Sequence, residues 1–198
     1  IGRMAVVNRP YTVFANDRIP AGCSFFYFEV RLTTTQRRRE DGPLIEVGLA
    51  PRPTENTQSW QPGAVLIDST GKIVYQRSST APTEYQVDMA FGPRDTIGCL
   101  WSKDTSSVQF THNGRLLPQR VAGLPSSSVP VVRVFGEESQ VEANFGLANF
   151  LFDLDGAVGE LNRAAADDAE AEAESDHSTL FSLTALSFEA DEGSEGSG

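Results

Sequence analysis

FFYFEVRL, residues 25–32, alternates along its length: Phe26, Phe28, Val30 and Leu32 fall on one side, and Tyr27, Glu29 and Arg31 on the other. A period of two is the side-chain spacing of an extended strand, whereas a helix brings neighbours together every three to four residues. The stretch therefore reads as a β-strand with one buried face. LIEVGLA, residues 44–50, repeats the pattern with Ile45, Val47 and Leu49.

Outward from these strands the turn signals are close together. PRPTENTQSWQPG (51–63) is too rich in Pro, Thr, Gln and Asn for a strand interior and reads as a long loop. AVLIDSTGKIVY (64–75) places a turn at Asp68–Gly71 between two short strands, and DTIGCLW (95–101) puts Ile97, Cys99 and Trp101 on one side. In VQFTHNGRLL (108–117), Asn113-Gly114 supplies two residues tolerant of positive φ, as a type I′ hairpin turn needs.

VPVVRVF (129–135) and QVEANF (140–145), separated by GEES, are expected to form a further hairpin. Phe135 shares a face with Val131 and Arg133, opposite Val132 and Val134, so one of these sets must look away from the core. Tyr85 and Trp101 are assigned to packing. Many short strands with no sustained helical period predict an all-β antiparallel sandwich.

Charge divides the chain differently. Residues 1–158 hold fifteen Arg/Lys against sixteen Asp/Glu, while 159–198 hold one Arg against eleven acids, so nearly all of the net −11 sits in the tail. Two regions follow: a sandwich domain over 1–158 and an acidic, low-complexity tail over 159–198 with a short apolar segment at 179–188. ELNRAAADDAEAEAESD (160–176) has helix formers but no apolar stripe, which predicts marginal helix or disorder. The segment LFSLTALSF either docks on a partner or on the domain itself, or belongs to an inert linker; serines in SFEADE suit phosphorylation.

Several function classes lose ground on composition. No apolar stretch approaches the roughly 18 residues of a membrane span, and the N-terminus lacks the layout of a signal peptide. Opening at Ile1, the chain fits a fragment of something longer. Cys23 and Cys99 are too few for a disulfide framework and suit a reducing compartment. His112 and His177 make no triad or Cys/His spacing, so no catalytic residues are expected. No metal site or cofactor is expected either, since DLDG (153–156) starts like a calcium loop but its glycine comes too early. The cluster Arg37, Arg38, Arg39 is followed at once by Glu40 and Asp41 and reads as a solvated hairpin tip, not a nucleic-acid site.

Taken in order, FFYFEVRL, IEVGLA, DTIGCLW, VQFTHNG, VEANFG and FLFD resemble the SPRY domain, a family of β-sandwich interaction modules, and look closest to its Ran-binding-protein M branch, over about residues 12–155. The resemblance implies a bent sandwich of two antiparallel sheets, with Asn144, Phe145, Gly146, Phe150 and Phe152 closing the last strand. It implies a non-catalytic module that captures a short peptide in a loop-end cleft, as the substrate-recognition or scaffold part of a larger assembly such as a ubiquitin ligase, in the cytoplasm or nucleus. The alternative is a structural domain packed against neighbours in a large multidomain protein.

Carried over by position, the resemblance marks three walls of that cleft: Asn16, Asp17 and Arg18; then Arg52, Pro53 and Trp60; then Val134, Phe135 and Gly136. Trp60 either pins its loop to the sandwich or anchors a ligand, a role in which aromatics contribute roughly 2 kcal/mol or more. Two stretches depart from the family pattern. PGAVLIDSTGKIV keeps the turn but loses the aromatics, and TTTQRRREDGP is longer than usual.

Overall fold

The computed structural model describes residues 10–53, 59–124, 127–136 and 138–159. The first nine residues and the tail from 160 onward, including the 179–188 segment, lie outside the described residues. The chain divides into two units, 1–154 and 155–198, and the second contributes only 155–159 to the description.

Among the described residues, every strand belongs to one of two antiparallel sheets. The first runs in the order β1 (Tyr11–Phe14), β10 (Val129–Val134), β3 (Ile45–Ala50), β4 (Ala64–Asp68), β5 (Lys72–Gln76), β6 (Thr83–Gln86). The second runs β11 (Gln140–Asn144), β2 (Phe25–Thr34), β7 (Thr96–Ser102), β8 (Ser107–His112), β9 (Arg115–Ala122).

Alternation places the core between them. Phe28 pairs with Cys99 and Val30 with Ile97 in the second sheet, and Val47 pairs with Ile67 in the first; all are buried. Burying such side chains contributes roughly 1.5–3 kcal/mol each, which is what holds two sheets face to face. The Asn113-Gly114 turn forms as expected, with φ of 50° and 77°, and joins β8 to β9 with His112 opposite Arg115. At the β4–β5 turn, Asp68 Oδ1 accepts from the Thr70 amide (2.8 Å) and hydroxyl (2.6 Å) and from the Lys72 amide (3.2 Å). Tyr85 and Trp101 pack with the core as expected.

Three expectations need correction. VPVVRVF and QVEANF do not form a hairpin: β10 lies between β1 and β3, while β11 pairs with β2 in the other sheet. Gly136 (φ 92°) and Glu138 (φ 54°) turn the chain across, and Ser139 fastens the corner through the Phe135 carbonyl (3.2 Å) and the Thr35 hydroxyl (2.7 Å). Crossing over satisfies the free backbone edge of β2, which a local hairpin would leave bare.

TTTQRRREDGP likewise crosses between sheets and is not a hairpin tip. Arg38 is solvated and pairs with Glu40 at 3.3 Å, but Arg37 tucks in, donates to the Asp41 carbonyl and lies 5.7 Å from the Phe135 ring centroid.

Finally, the second face of FFYFEVRL is not simply solvated. Tyr27 and Glu29 are buried, because Phe150 and Phe152 fold back over them with ring centroids 4.8 and 5.4 Å from that of Tyr27. Glu29 Oε1 accepts from the Tyr27 hydroxyl (2.9 Å) and from the Leu151 (2.9 Å) and Phe152 (3.2 Å) amides. Asn144 shapes the approach, its Oδ1 accepting from the Gly146 amide at 3.0 Å. The Phe150–Phe152 segment thus caps the outer face of the second sheet, while Phe145 of the Asn-Phe-Gly corner turns the other way and stacks on Phe28 with ring centroids 5.4 Å apart.

Candidate peptide-binding surface

β1 and β10 run antiparallel with Phe14 opposite Val131, and β3 ends with Ala50 opposite Val129. The loops that follow β1 and β3 therefore leave the first sheet at the same end. Arg52 ties them together, its Nη2 donating to the Asn16 carbonyl at 2.8 Å and also to the Ala15 carbonyl. Asn16, Asp17, Arg18 and Arg52 are exposed there, with Pro53 half-buried beside them. Two of the three expected walls are brought together.

Trp60 makes three side-chain contacts with the first sheet. Its Nε1 donates to Glu46 Oε2 at 3.1 Å, its edge meets Phe14 at 6.5 Å between centroids, and the Arg133 guanidinium covers its face at 3.7 Å. The ring pins the long loop to the outer face of the first sheet, where Ala50, Ala64, Leu66 and Val131 form a small apolar cluster with Phe14. Burial pushes the Glu46 carboxyl above its ordinary range; Arg133 and the Trp60 N–H pull it back, and Asp68 pushes it the same way as burial. Glu46 and Arg133 were not marked as site residues from the sequence. Their signal was the alternation of IEVGLA and VPVVRVF, which places both on the outward face.

The third expected wall lies elsewhere. Val134 pairs with Tyr11 and Ile45, at the far end of β10 from Pro130, roughly 13 Å away at strand rise. Phe135 and Gly136 pack with Arg37 at that end. Val134 instead lines a separate cleft of about 370 Å³ at the open side of the sandwich, between β1 with β10 and β11. This groove was not anticipated, and Tyr11, Val13 and Phe145 on its walls remain 45%, 37% and 50% exposed.

Reactive chemistry is thin. Among the described residues no group of three or more His, Cys, Asp and Glu is placed to hold a metal ion. His112 lies 3.5 Å from Asp95, and Asn113 donates to the same carboxylate at 2.8 Å, a cluster that braces the hairpin turn. Burial pushes the Cys99 thiol well above its ordinary range, leaving it a poor nucleophile. No helix among the described residues is long and apolar enough to cross a membrane.

The model of the SPRY domain family matches residues 25–148, more than half of the chain. Among curated proteins, the chain is 23% identical over 171 residues to human "Probable E3 ubiquitin-protein ligase HECTD4", covering 78% of this chain and 4% of that protein. It is 27% identical over 150 residues to human Ran-binding protein 9, covering 73% and 19%. The chain thus spans less than a third of the length of these relatives. A solved structure, "Crystal structure of human SPRY domain", superposes with a TM-score of 0.56 at 20% identity over 73% of this chain and 89% of its own. Two antiparallel sheets in this order, the match over β2 to the Asn-Phe-Gly corner and the relatives named Ran-binding protein together make the chain a member of the SPRY domain family, on the side of its Ran-binding-protein M branch.

Proposed function

We propose that this domain is a non-catalytic protein-interaction module that takes a short extended peptide across the loop end formed by Asn16, Asp17, Arg18, Arg52 and Pro53, with Trp60 as the fixed floor post beside it. The observation that carries this reading is the Arg52 bridge to the carbonyls of the neighbouring loop. It preforms two loops into one surface, and a surface that needs no ordering on binding loses less entropy. Asp17 and Arg18 supply opposite charges side by side, suited to a peptide backbone and a polar side chain. Val134, Phe135 and Gly136 stay outside this surface and enter the reading only as the far end of β10.

Kinship with a protein named as a probable E3 ubiquitin ligase supports a place as the substrate-recognition or scaffold part of such an assembly. The free Cys23 and Cys99 agree with a reducing compartment, cytoplasm or nucleus. A second reading, packing against neighbouring domains of a larger protein, draws on the short span of the chain within its relatives.

The test is selection of a phage-displayed peptide library against the full chain. A consensus motif should emerge, and Asp17→Lys and Arg18→Glu should abolish its binding while leaving the melting temperature unchanged. Failure to enrich any motif, or enrichment indifferent to both substitutions, overturns the reading.

A further inference from the structure

The open side of the sandwich is a second candidate surface, distinct from the loop end. β1 and β11 are the outer strands of their sheets, and neither has a strand partner on its other side among the described residues. Between them runs the groove walled by Tyr11, Val13, Val132, Val141 and Phe145, with Glu142 at its rim. Because the Ala15 amide bonds back to Pro130, alternation along β1 turns the backbone groups of Thr12 and Phe14 outward, toward the groove side. Exposed apolar walls beside such an edge form the kind of site that takes an added strand.

We propose that this groove seats the chain's own N-terminal segment, with Met4-Ala5-Val6-Val7 laid as an extra strand along β1. Three observations favour this occupant. Nine residues precede Pro10, which stands next to groove-lining Tyr11 in the chain, and four residues at about 3.3 Å each are long enough to run back along β1. Asn8-Arg9-Pro10 between the apolar run and β1 has the residues of a tight turn. The segment carries Arg3 and Arg9 and no acid, which complements Glu142, whereas the apolar stretch at 179–188 sits in a tail of eleven acids and one Arg.

Hydrogen exchange on the full 198-residue chain tests this. Val6→Asp/Val7→Asp should speed exchange at Tyr11–Phe14 and Val141–Phe145 by about tenfold or more, with Ile97 and Cys99 in β7 unchanged as the fold control. A synthetic peptide of residues 1–10 added in trans should restore protection. If the β7 amides also accelerate, the milder Val6→Ser/Val7→Ser is measured in the same way. Unchanged exchange along β1 and β11 overturns the proposal. So does acceleration there by Leu180→Asp/Phe181→Asp, which would assign the groove to the tail, or protection that rises with protein concentration, which would assign it to a second copy.

Discussion

Arg133 lies over the ring of Trp60, its guanidinium carbon 3.7 Å from the centroid, while both residues engage Glu46, Arg133 through Nη1 at 3.4 Å and Trp60 through Nε1 at 3.1 Å. The three side chains come from β10, the long loop and β3, so a cation, a ring and a carboxylate fasten that loop to the sheet. All are largely withdrawn from water, where such contacts are stronger than at an open surface.

Trp60→Ala is therefore expected to lower stability by about 1–3 kcal/mol, in the range of lost packing plus a half-buried carboxylate left short of a donor. A double-mutant cycle with Arg133→Ala, read by urea unfolding, should return a coupling of about 1 kcal/mol. Independent, additive effects would show that the stacking contributes nothing.

Phe152 is 8% exposed and covers Tyr27, whereas Leu151 beside it is 62% exposed. Phe152→Ala should cost about 3–5 kcal/mol and Leu151→Ser less than about 1 kcal/mol. Equal effects in thermal melts would mean that the segment does not cap the sheet.

Gly98 sits under the Tyr27 hydroxyl, where an added methyl carbon would lie 2.0 Å from that oxygen and 2.3 Å from Thr111 Oγ1. Gly98→Ala should lose about 3 kcal/mol or more, and Tyr27→Phe in the same chain should restore part of it by removing the clashing oxygen. No recovery would place the strain on the contacts that remain, Thr111 Oγ1 at 2.3 Å and the Tyr27 ring carbon Cζ at 2.5 Å.

Burial opposes the charged form of Asp95, but hydrogen bonds from Asn113 and the Gly92 amide, together with His112, outweigh it and hold the carboxyl below its ordinary range. A carboxyl depressed in the folded state adds stability that is present above its unfolded value, near 3.9, and is lost as pH falls through the folded value. Stability should thus drop on acidification below about pH 4, and Asp95→Asn should flatten that part of the profile in pH-dependent unfolding. An unchanged acid limb would remove Asp95 from the account.

Cys23 is partly exposed, while Cys99 is fully buried with its thiol pushed up by burial. A thiol-labelling reagent followed by intact mass should add one group to the native protein at Cys23, and a second only under unfolding conditions. Rapid double labelling of the native protein would contradict the buried position.

Much of the architecture was present in single stretches. Alternation in FFYFEVRL and LIEVGLA selected the buried side of β2 and β3, and Asn113-Gly114 made the β8–β9 turn, because side-chain direction along a strand and φ at a turn are local properties. Asn16 through Arg18 and Arg52 could be marked from the sequence as neighbours only through family resemblance; the bridge that joins their loops depends on strands far apart in the chain.

Tertiary structure alone decided which sheet captured each strand. VPVVRVF and QVEANF have the pattern of a hairpin, yet a strand edge pairs with whichever free edge packing brings beside it, so β11 went to β2 and opened the groove opposite β1. The same holds for Tyr27 and Glu29: their alternation points them outward, and only the returning Phe150–Phe152 segment, more than a hundred residues later in the chain, makes that outward face an interior. Local period sets the direction of a side chain, and long-range packing sets what it meets.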